Sequence, residues 1–553
     1  MGFVSLHAYD ADVNIPAFKG LAKSPTEVNG DLRYAEEAYN VETFNGVLQP
    51  RAVNGKETGS DYTYHGYNDG HMQMLAILHR RWYEGTGSKD WFVMAADGYI
   101  YVKQKGVNES WMRLEMPDGI TRFTNNKWSW VTYETTSPDN PVPVDVLLMS
   151  NKDDGLIMVT PPDRMRTWND LKSFNWGTVG EEDWQDVKTA RWTITVVDTG
   201  GYRFGIIERY VERLFGADVS QYLEDEGIWV DRPDRLVYSA PFNPEDWEQN
   251  EDIPEDGAGE VDQPSWDGDR FTALAVFGDQ LLAFKEHRIW RVMGTNPGEY
   301  AFKEQYGEGA PLPNTVAVDA ERVLMADENG ISVYDGMTVR PFWREYTDNI
   351  WKNISKENFA YMYATVHNNR YYITIPRRSY GYEYAASLLV LDFTEGTTLM
   401  HNVFDGTNLL ATDDGVYYVD NGASSGSYIG IIRHDAWDNG NAYGWNRWIT
   451  PWIDFSYKRI VKGGFEVYFT PEVKDQAVTL RFSIQTEKKL KTKDYTIQPL
   501  TEEQKLAGKE HRVKRLHFGG SGRKFRLIIE ANNQYKPWRL TGGIQIVAET
   551  DPD

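Results

Sequence analysis

The stretch ALAVFGDQLLAFKEHRIWRV (Ala273–Val292) consists of short apolar runs separated by tight turns. The turns fall at Gly278-Asp279 and at Glu286-His287, where glycine and charged residues interrupt the apolar pattern. Apolar runs of this length between turn residues are typical of β-strands rather than helices. The stretch therefore predicts three short strands joined as successive antiparallel hairpins.

The same design recurs over about 350 residues, with almost no amphipathic helical pattern between the copies. The turn dipeptides are Asp-Gly or Asn-Gly, which accept the positive φ of a type I′ hairpin. One segment, Ile207–Ser220, fits a helix nearly as well as a strand. The other hairpins are Trp91–Val102, Val144–Val159, Val323–Gly336 and Leu409–Gly422.

Recurrent antiparallel hairpins favour a β-propeller, in which a four-stranded blade uses about 40–50 residues. About 400 residues would supply six to eight blades, and no strict repeat motif defines the number further. A pair of stacked β-sandwiches is the structural alternative. From Trp445 onward, six alternating runs within about 100 residues predict a β-sandwich or jelly roll. The prediction is an all-β chain with an N-terminal arm at 1–44, a propeller at 45–444 and a sandwich at 445–553.

A long acidic segment interrupts the hairpin pattern at Pro244–Asp269. It contains eleven Asp and Glu residues and no Lys or Arg. So much like charge disfavours packing, and we expect an exposed loop inserted in the propeller.

Common catalytic patterns are missing from the sequence. There is no cysteine, no glycine-rich phosphate loop, no HExxH and no GxSxG, and the ten histidines lack the spacing of a zinc site. The acidic turns at Asp327–Gly330 and Asp413–Gly415 are interpreted as hairpin turns rather than calcium loops. We predict no catalytic residue, cofactor or metal site, although 82 Asp and Glu residues leave a paired-carboxylate glycosidase open.

Aromatic residues are abundant, and two local pairs could stack on sugars: Trp128 with Trp130, and Trp445 with Trp448. Packing between blades or domains is the favoured interpretation of both pairs. The N-terminus has no secretory signal pattern, and no run approaches 18 apolar residues, so we expect no membrane span.

Charge is divided unevenly along the chain. Residues 445–553 contain 20 Lys and Arg against 13 Asp and Glu, a net +7, whereas the whole chain carries −24. An acidic body with a basic end could orient the protein against an acidic neighbour, and surface solubility is the simpler explanation. The candidate interface residues are Lys488, Lys489, Lys491, Lys493, Arg512, Lys514 and Arg515.

Three segments in order resemble a known family: Arg235–Trp247, Thr272–Tyr300 and Gly330–Gly336. They are similar to the β-propeller proteins of tailed bacteriophages called tail-stabilisation, hub or nozzle proteins. NGVLQPRAV (Asn45–Val53) also looks like the opening strand of that family, and the C-terminal strands resemble the sandwich that often follows it. The matching residues are Tyr238, Ser239, Pro241, Pro244, Trp247, Phe277, Gly278, Leu281, Phe284, Lys285, Ile289, Trp290, Tyr334, Asp335 and Gly336.

The resemblance implies a structural virion protein of the neck or tail, made in the host cytoplasm and devoid of enzymatic activity. It also implies other tail or neck proteins as partners and a cyclic homo-oligomer, sixfold or twelvefold, around the tail axis. No motif for direct nucleic-acid recognition is visible. The alternative is a propeller that binds or degrades host-surface glycan, as a receptor-binding protein or a depolymerase.

Overall fold

The structure, a computed structural model, describes most residues of the chain. These residues form an all-β chain with two short α-helices. They are residues 10–21, 31–63, 74–81, 88–137, 140–161, 192–263, 269–294, 297–305, 307, 309–310, 312–352, 354, 356–376, 385–394, 396–402, 404, 406–421, 426–434, 442, 444–454, 459–507, 512–532 and 535–552.

The first strands of the chain divide between two domains. The first, second and fourth strands pair with strands near the C-terminal end of the chain, the third pairs with the fourth, and the next two pair with the last blade of the propeller. The strands are β1 (Asp10–Ile15), β2 (Glu37–Tyr39), β3 (Val41–Phe44), β4 (Val47–Pro50), β5 (Gly55–Lys56) and β6 (Tyr62–Thr63).

Blades 1 to 4 follow one another along the chain, and each contains four antiparallel strands paired in sequence order. Blade 3 has an additional strand, the fifth in its sheet, that pairs with the end of its second strand. Blade 1 is β7 (Met74–Arg81), β8 (Ser88–Ala96), β9 (Tyr99–Gln104) and β10 (Met112–Arg113); blade 2 is β11 (Ser129–Ser137), β12 (Asn140–Asn151), β13 (Gly155–Thr160) and β14 (Thr193–Val196); blade 3 is β15 (Tyr202–Tyr210), β16 (Arg213–Leu223), β17 (Ile228–Arg232), β18 (Arg235–Tyr238) and β19 (Gly259–Asp262); blade 4 is β20 (Phe271–Phe277), β21 (Gln280–Lys285), β22 (Ile289–Met293) and β23 (Ala301–Gln305).

Blades 5 to 7 continue the series, and a short helix, α1 (Arg344–Trp351), separates blades 5 and 6. In blade 7 the last position is taken by β5, which returns from the N-terminal part of the chain. Blade 5 is β24 (Ala317–Val318), β25 (Val323–Asp327), β26 (Gly330–Tyr334) and β27 (Val339–Pro341); blade 6 is β28 (Ala364–His367), β29 (Arg370–Pro376), β30 (Ala385–Asp392) and β31 (Thr397–Asn402); blade 7 is β32 (Gly406–Thr412), β33 (Gly415–Asp420) and β34 (Gly426–Ile432), with β5.

A separate apolar core lies between each pair of neighbouring blades. Seven such clusters of buried side chains connect blade 1 to blade 2 and so on round the ring, the last between blade 7 and blade 1. In that last cluster Val419 and Ile429 pack with Phe92. The described strands therefore form a closed seven-bladed β-propeller, within the six to eight blades predicted.

The ring closes through strand pairing between the two ends of the propeller. Gly430 of β34 pairs with Lys56 of β5, and Ser427 pairs with Tyr62 of β6. The Tyr62 hydroxyl also donates to the carboxylate of Asp97 in the β8–β9 turn of blade 1. This pairing covers the edge of β34, and the radial arrangement of blades leaves only short strand edges.

A second closing contact joins blade 7 to blade 1. Lys105, just after β9, lies with its Nζ 2.6 Å from Oδ1 of Asp414 in the β32–β33 turn. Partial burial opposes ionisation of Asp414, but hydrogen bonds from Lys105, Thr412 and Tyr417 outweigh it and lower the pKa to about 2. Because the pKa is lowered in the folded state, the ionised carboxylate stabilises the fold at pH values above its ordinary pKa. This stabilisation is lost as the pH falls through about 2.

We therefore expect Asp414→Asn to be slightly less stable than wild type at pH 7. The difference should shrink between about pH 4 and about pH 2, where wild type loses the same stabilisation. The carboxylate is 56% exposed, so solvent screening limits the effect to about 0.5 kcal/mol. Urea unfolding at pH 7 and pH 2.5 measures it. Asp413→Asn, on the exposed neighbouring residue, is the control. An equal effect of the two variants would contradict the prediction.

The C-terminal domain is a sandwich of two sheets. One sheet has the order β3-β4-β42-β37-β40, with β1 also on β42; the other has the order β2-β35-β41-β38-β39, with β36 also on β41. The strands are β35 (Trp445–Ile449), β36 (Ile453–Asp454), β37 (Arg459–Val473), β38 (Val478–Thr486), β39 (Leu490–Ile497), β40 (Lys514–Phe518), β41 (Lys524–Asn532) and β42 (Trp538–Pro552), with helix α2 (Glu502–Leu506) between β39 and β40.

Aromatic rings from the two sheets interlock in the sandwich core. The Phe469 ring lies 4.3 Å from that of Phe482, and Phe465 lies 4.7 Å from Phe525. Alternate residues along each strand supply these side chains, as in other face-to-face sheet packings. The all-β fold, a propeller followed by a sandwich, is confirmed.

The division between the domains differs from the one predicted at 1–44, 45–444 and 445–553. Strands β1 to β4 belong to the sandwich rather than to an arm, and the segment taken as the opening propeller strand, Asn45–Val53, contains β4 of the sandwich. The reason is β42, whose fifteen residues are long enough to pair with β37, β4 and β1. These N-terminal strands are too short for a sequence pattern to reveal their partners.

One sheet runs through both domains. The outer strand of blade 6, β31, pairs in parallel with β2 through Met400 and Tyr39, and β2 pairs with β35 of the sandwich. The result is a ten-stranded sheet that starts at the channel side of blade 6 and ends at β39. The sandwich is therefore attached to the outside of blade 6 by backbone pairing.

Two segments with ambiguous or unusual sequence patterns contribute strands to blade 3. The ambiguous segment Ile207–Ser220 belongs to strands β15 and β16, which turn at Val211 and Glu212 with positive φ. Of the acidic segment Pro244–Asp269, residues 264–268 lie outside the described part of the chain, and the described residues are only partly an exposed loop. Residues 259–262 form β19, which pairs with β18, and Arg235 on that strand forms ion pairs with both Glu260 and Asp262.

Candidate functional site

The residues that carry the family resemblance lie in three consecutive blades and pack between them. Tyr238 of β18 contacts the rings of Phe215 and Tyr300, at 5.7 and 5.1 Å, in the core between blades 3 and 4. Trp290 of β22 is buried in the same core. These aromatic side chains hold neighbouring blades together.

The segment after β18 is shaped by backbone contacts. Ser239 is fully buried, and its hydroxyl accepts from the Leu214 amide at 3.1 Å. The carbonyl of Pro244, also buried, accepts from the Trp247 indole at 2.9 Å, and the Trp247 ring packs 5.1 Å from that of Phe204. Pro241 lies between these two contacts, half-buried.

The remaining resemblance residues lie in blades 4 and 5. The Phe277 ring meets the buried ring of Tyr334 edge-on at 6.1 Å. Gly278 and Gly336 have φ of 61° and 95°, which suits glycine in the turns that follow β20 and β26. Asp335 accepts from the amides of Thr338 and Met337, which lowers the pKa of its carboxyl.

The two tryptophan pairs also pack inside the protein. Trp128 meets Phe123 at 5.1 Å in the core between blades 1 and 2, with Trp130 partly buried against it. Trp448 is fully buried against Phe18, at 5.5 Å, and Trp445 stacks on Tyr39. Packing is therefore the structural role that these rings have.

The predicted interface residues converge on one side of the sandwich. Strands β39 and β40 are the last strands of the two sheets, and they lie next to each other, with Lys493 Nζ 5.9 Å from the Phe518 ring. We call this surface the basic edge. It consists of Lys488, Lys489, Lys491, Lys493, Arg512, Lys514 and Arg515.

Three lysines of the basic edge share a face with core residues. Register pairs Lys491 with Ile484 and Lys493 with Phe482 on β38, and it pairs Lys514 with Phe469 on β37. Directly paired residues project to the same side of a sheet, so these lysines project toward the gap between the two sheets. Inward-pointing charges of this kind are one way in which proteins protect an open sheet edge.

Few carboxylates neutralise the basic edge. Arg515 pairs with Glu466, and the nearby Asp494 is taken by Arg481 at 2.9 Å. Within the described ranges, no carboxylate lies within ion-pair distance of Lys488, Lys489, Lys491, Lys493, Arg512 or Lys514. Sequence reasoning found these residues, and the structure adds that the two groups, separated in sequence, lie side by side.

An ordered acidic surface lies on blade 3. We call residues 248–256 the acidic loop; its carboxylates are exposed, and it closes where the Ala258 amide donates to the Glu248 carbonyl at 2.9 Å. Buried Arg213 donates to the carbonyls of Gly257 and Ser239, each at 2.7 Å, and to that of Glu255. The loop is thus held from below by a charged side chain that the sequence did not single out.

A buried polar network joins the sandwich to blades 6 and 7. His434 lies with Nδ1 2.7 Å from the Glu42 carboxylate of β3 and Nε2 2.8 Å from the Tyr372 hydroxyl of β29. Burial raises the pKa of Tyr372 to about 12. Asn40 donates to the Trp445 carbonyl and accepts from the Arg51 guanidinium, both at 3.0 Å. The His434 contacts therefore connect the sandwich to both blades, whereas the contact of Asn40 with Trp445 lies within the sandwich.

One cluster in the described part of the chain has the composition of a metal site. Ligand atoms of Asp269, Glu286 and His287 lie within 4.8 Å of one another at the surface of blade 4. The His287 amide also donates to the Asp269 carboxylate at 3.3 Å, which is a turn contact. Exposed acidic groups often approach one another in this way, and the cluster supports no assignment.

Comparison with known proteins finds similarity only to solved structures. No family model matches the chain, and no curated protein matches its sequence. The WD40 domain of Neurospora crassa Pan2 shares 9% identity over 70% of this chain and 98% of that domain, with a TM-score of 0.34. No helix among the described residues is long and apolar enough to cross a membrane.

Two bacterial proteins are similar at the same level. AztD from Citrobacter koseri shares 12% identity over 66% of this chain and 97% of AztD, with a TM-score of 0.26. PorZ from Porphyromonas gingivalis, a surface component of the type-IX secretion system, shares 10% identity, and the alignment covers 67% of this chain but 42% of PorZ, with a TM-score of 0.26. At such low values the propeller assignment rests on the seven sheets and their closure.

Proposed function

We propose that this chain is a structural protein of a tailed-bacteriophage particle, located in the neck or tail and without enzymatic activity. The ten-stranded sheet shared by blade 6 and the sandwich is the observation that carries the proposal. It connects the two domains by backbone pairing of β2 with β31 at Tyr39 and Met400, and a particle component that transmits load would need such a connection. The resemblance of blades 3 to 5 to tail-stabilisation, hub or nozzle proteins supports the same function. The aromatic residues that carry this resemblance pack between blades, which is a structural role.

The proposal includes a ring of copies around the tail axis, sixfold or twelvefold, in contact with other tail or neck proteins. The chain would be made in the host cytoplasm and reside in the virion. Rings form when one surface of a subunit binds a different surface of the next and the rotation closes.

Negative-stain imaging of the parent particle, with a labelled antibody against this chain, tests the proposal. We expect label at the neck or tail, at several positions around the axis. Particles without label, or with a single copy on one side, would contradict it. An antibody preabsorbed with the purified protein is the control.

A second candidate is a glycan-degrading propeller, which one carboxyl group favours. Glu208 lies on β15, the channel-side strand of blade 3. Burial raises its pKa to about 7, although a hydrogen bond from the Arg209 amide lowers the pKa in part. A glycosidase needs a general acid of this kind together with a second carboxylate. Release of reducing sugar from host-surface polysaccharide, abolished by Glu208→Gln, would favour this candidate; the structural proposal expects no release by either protein.

A further inference from the structure

The acidic loop and the basic edge have opposite charge and lie far apart on the same chain. We infer that the basic edge of one subunit binds the acidic loop of a second copy. This inference rests on the proposed function, because it names the surfaces through which the proposed ring would form. It commits to a second copy of this chain as the occupant of the open edge.

The basic edge has the features of an unfilled docking surface. Strands β39 and β40 are the edge strands of the two sheets, and they lie next to each other. Leu490 at the start of β39 is 57% exposed and Val513 before β40 is 49% exposed, so apolar side chains accompany the unpaired cations. Open strand edges and unneutralised charge both favour contact with another chain.

The acidic loop has matching features. Five carboxylates project from nine residues without a basic residue among them, and Ile253 is 51% exposed between them. The amides of Asp252 and Ile253 bind the Asn250 side chain, and Arg213 holds the C-terminal end of the loop. A loop already ordered before binding loses little conformational entropy on docking. The carboxylates belong to Glu248, Glu251, Asp252, Glu255 and Asp256.

The placement of the two surfaces favours a head-to-tail contact. The acidic loop is on blade 3, and the sandwich is attached to blade 6, three blades away in a ring of seven. The surfaces therefore lie on nearly opposite sides of the propeller, and one chain cannot bring them together. Contact between different surfaces of successive copies produces a ring if it closes, or a filament if it does not.

A simpler role for the lysines is protection of the open edges against strand addition. Charge reversal separates the two roles, because glutamate also blocks an edge but repels the acidic loop. One variant is Lys491→Glu, Lys493→Glu, Lys514→Glu, and the other is Glu251→Lys, Asp252→Lys, Glu255→Lys. The two sets change the net charge by equal and opposite amounts. The combined variant, which carries all six substitutions, therefore keeps the wild-type charge.

Sedimentation velocity of the purified full-length protein, at about 0.05 M and about 0.5 M salt, measures self-association. We expect wild type to associate at low salt and each triple variant to associate at least about tenfold more weakly. The combined variant should recover wild-type association. The control is Lys127→Glu, Lys303→Glu, Arg340→Glu, three exposed sites just before blade 2 and on blades 4 and 5, which should associate as wild type does.

Three results would overturn the inference: a wild type that stays monomeric at all concentrations, triple variants that associate normally, or a combined variant that is not restored. Aggregation of the lysine variant alone would indicate edge protection instead. Should the lysine variant fail to fold, the loop variant, changed only at exposed positions, still decides the matter. None of these results affects the particle-labelling experiment, so the proposed function can stand when the contact fails.

Discussion

In a chain lacking residues 1–50, we expect that the sandwich no longer folds as a cooperative unit while the propeller still folds. The deletion removes β1, β3 and β4 from one sheet and β2 from the other, but it leaves the closing strands β5 and β6 in place. It also removes Phe18, which packs against the buried ring of Trp448.

The expected loss is large because the removed strands fill the sandwich core. Ile15, Phe18, Val41 and Leu48 are each essentially inaccessible to solvent. Burial of one such side chain contributes about 1.5–3 kcal/mol, and a whole domain is stable by only about 5–15 kcal/mol. Four missing side chains, together with the lost pairing, are enough to unfold the sandwich.

Differential scanning calorimetry and limited proteolysis measure the outcome. We expect the sandwich transition to disappear and residues 445–553 to become protease-sensitive, with a propeller transition remaining. A chain lacking only residues 1–9 is the control, and it separates the loss of β1 to β4 from the effect of shortening the N-terminus. Survival of an unchanged sandwich in the 1–50 deletion would show that the N-terminal strands are dispensable.

Replacing Arg213 with methionine is expected to destabilise blade 3 by about 3 kcal/mol and to release the acidic loop. The guanidinium is buried and donates to three carbonyls, those of Ser239, Glu255 and Gly257. Methionine fills similar space but donates no hydrogen bond, so these acceptors lose their partner.

Urea unfolding and cleavage by a glutamate-specific protease measure the two effects. We expect faster cleavage after Glu248, Glu251 or Glu255 in the variant. Arg209→Met is the matched control, because Arg209 lies in the same hairpin but is exposed over the Tyr133 ring at 4.9 Å. A change below about 0.5 kcal/mol with unaltered cleavage would contradict the role given to Arg213.

Local patterns predicted the elements of the fold better than their partners. The hairpins at Trp91–Val102, Val323–Gly336 and Leu409–Gly422 are present, because Asp-Gly and Asn-Gly turns bring adjacent strands together without help from distant residues. The basic residues of β39 and β40 were also visible in the sequence, since charge is a property of composition.

Distant pairing decided the rest. The roles of β1 to β4 in the sandwich, the blade-7 closure by β5 and the union of blade 6 with the sandwich all join residues hundreds of positions apart. Strands of two to six residues carry too little pattern to identify such partners. Arg213 was likewise missed, since nothing in its local sequence indicates a buried cation under a loop that begins 35 positions later.

Local sequence patterns were enough to predict an all-β chain, its recurrent hairpins, the strands after Trp445 and the two surfaces of opposite charge. These follow from turn residues, alternation and composition, which act over a few neighbouring positions. The number of blades, the path of the N-terminal strands and the proximity of β39 to β40 became visible only in the folded chain. Each of these depends on which strand edge and which apolar face remain unfilled once the other elements have packed, and that is a property of the whole folded chain.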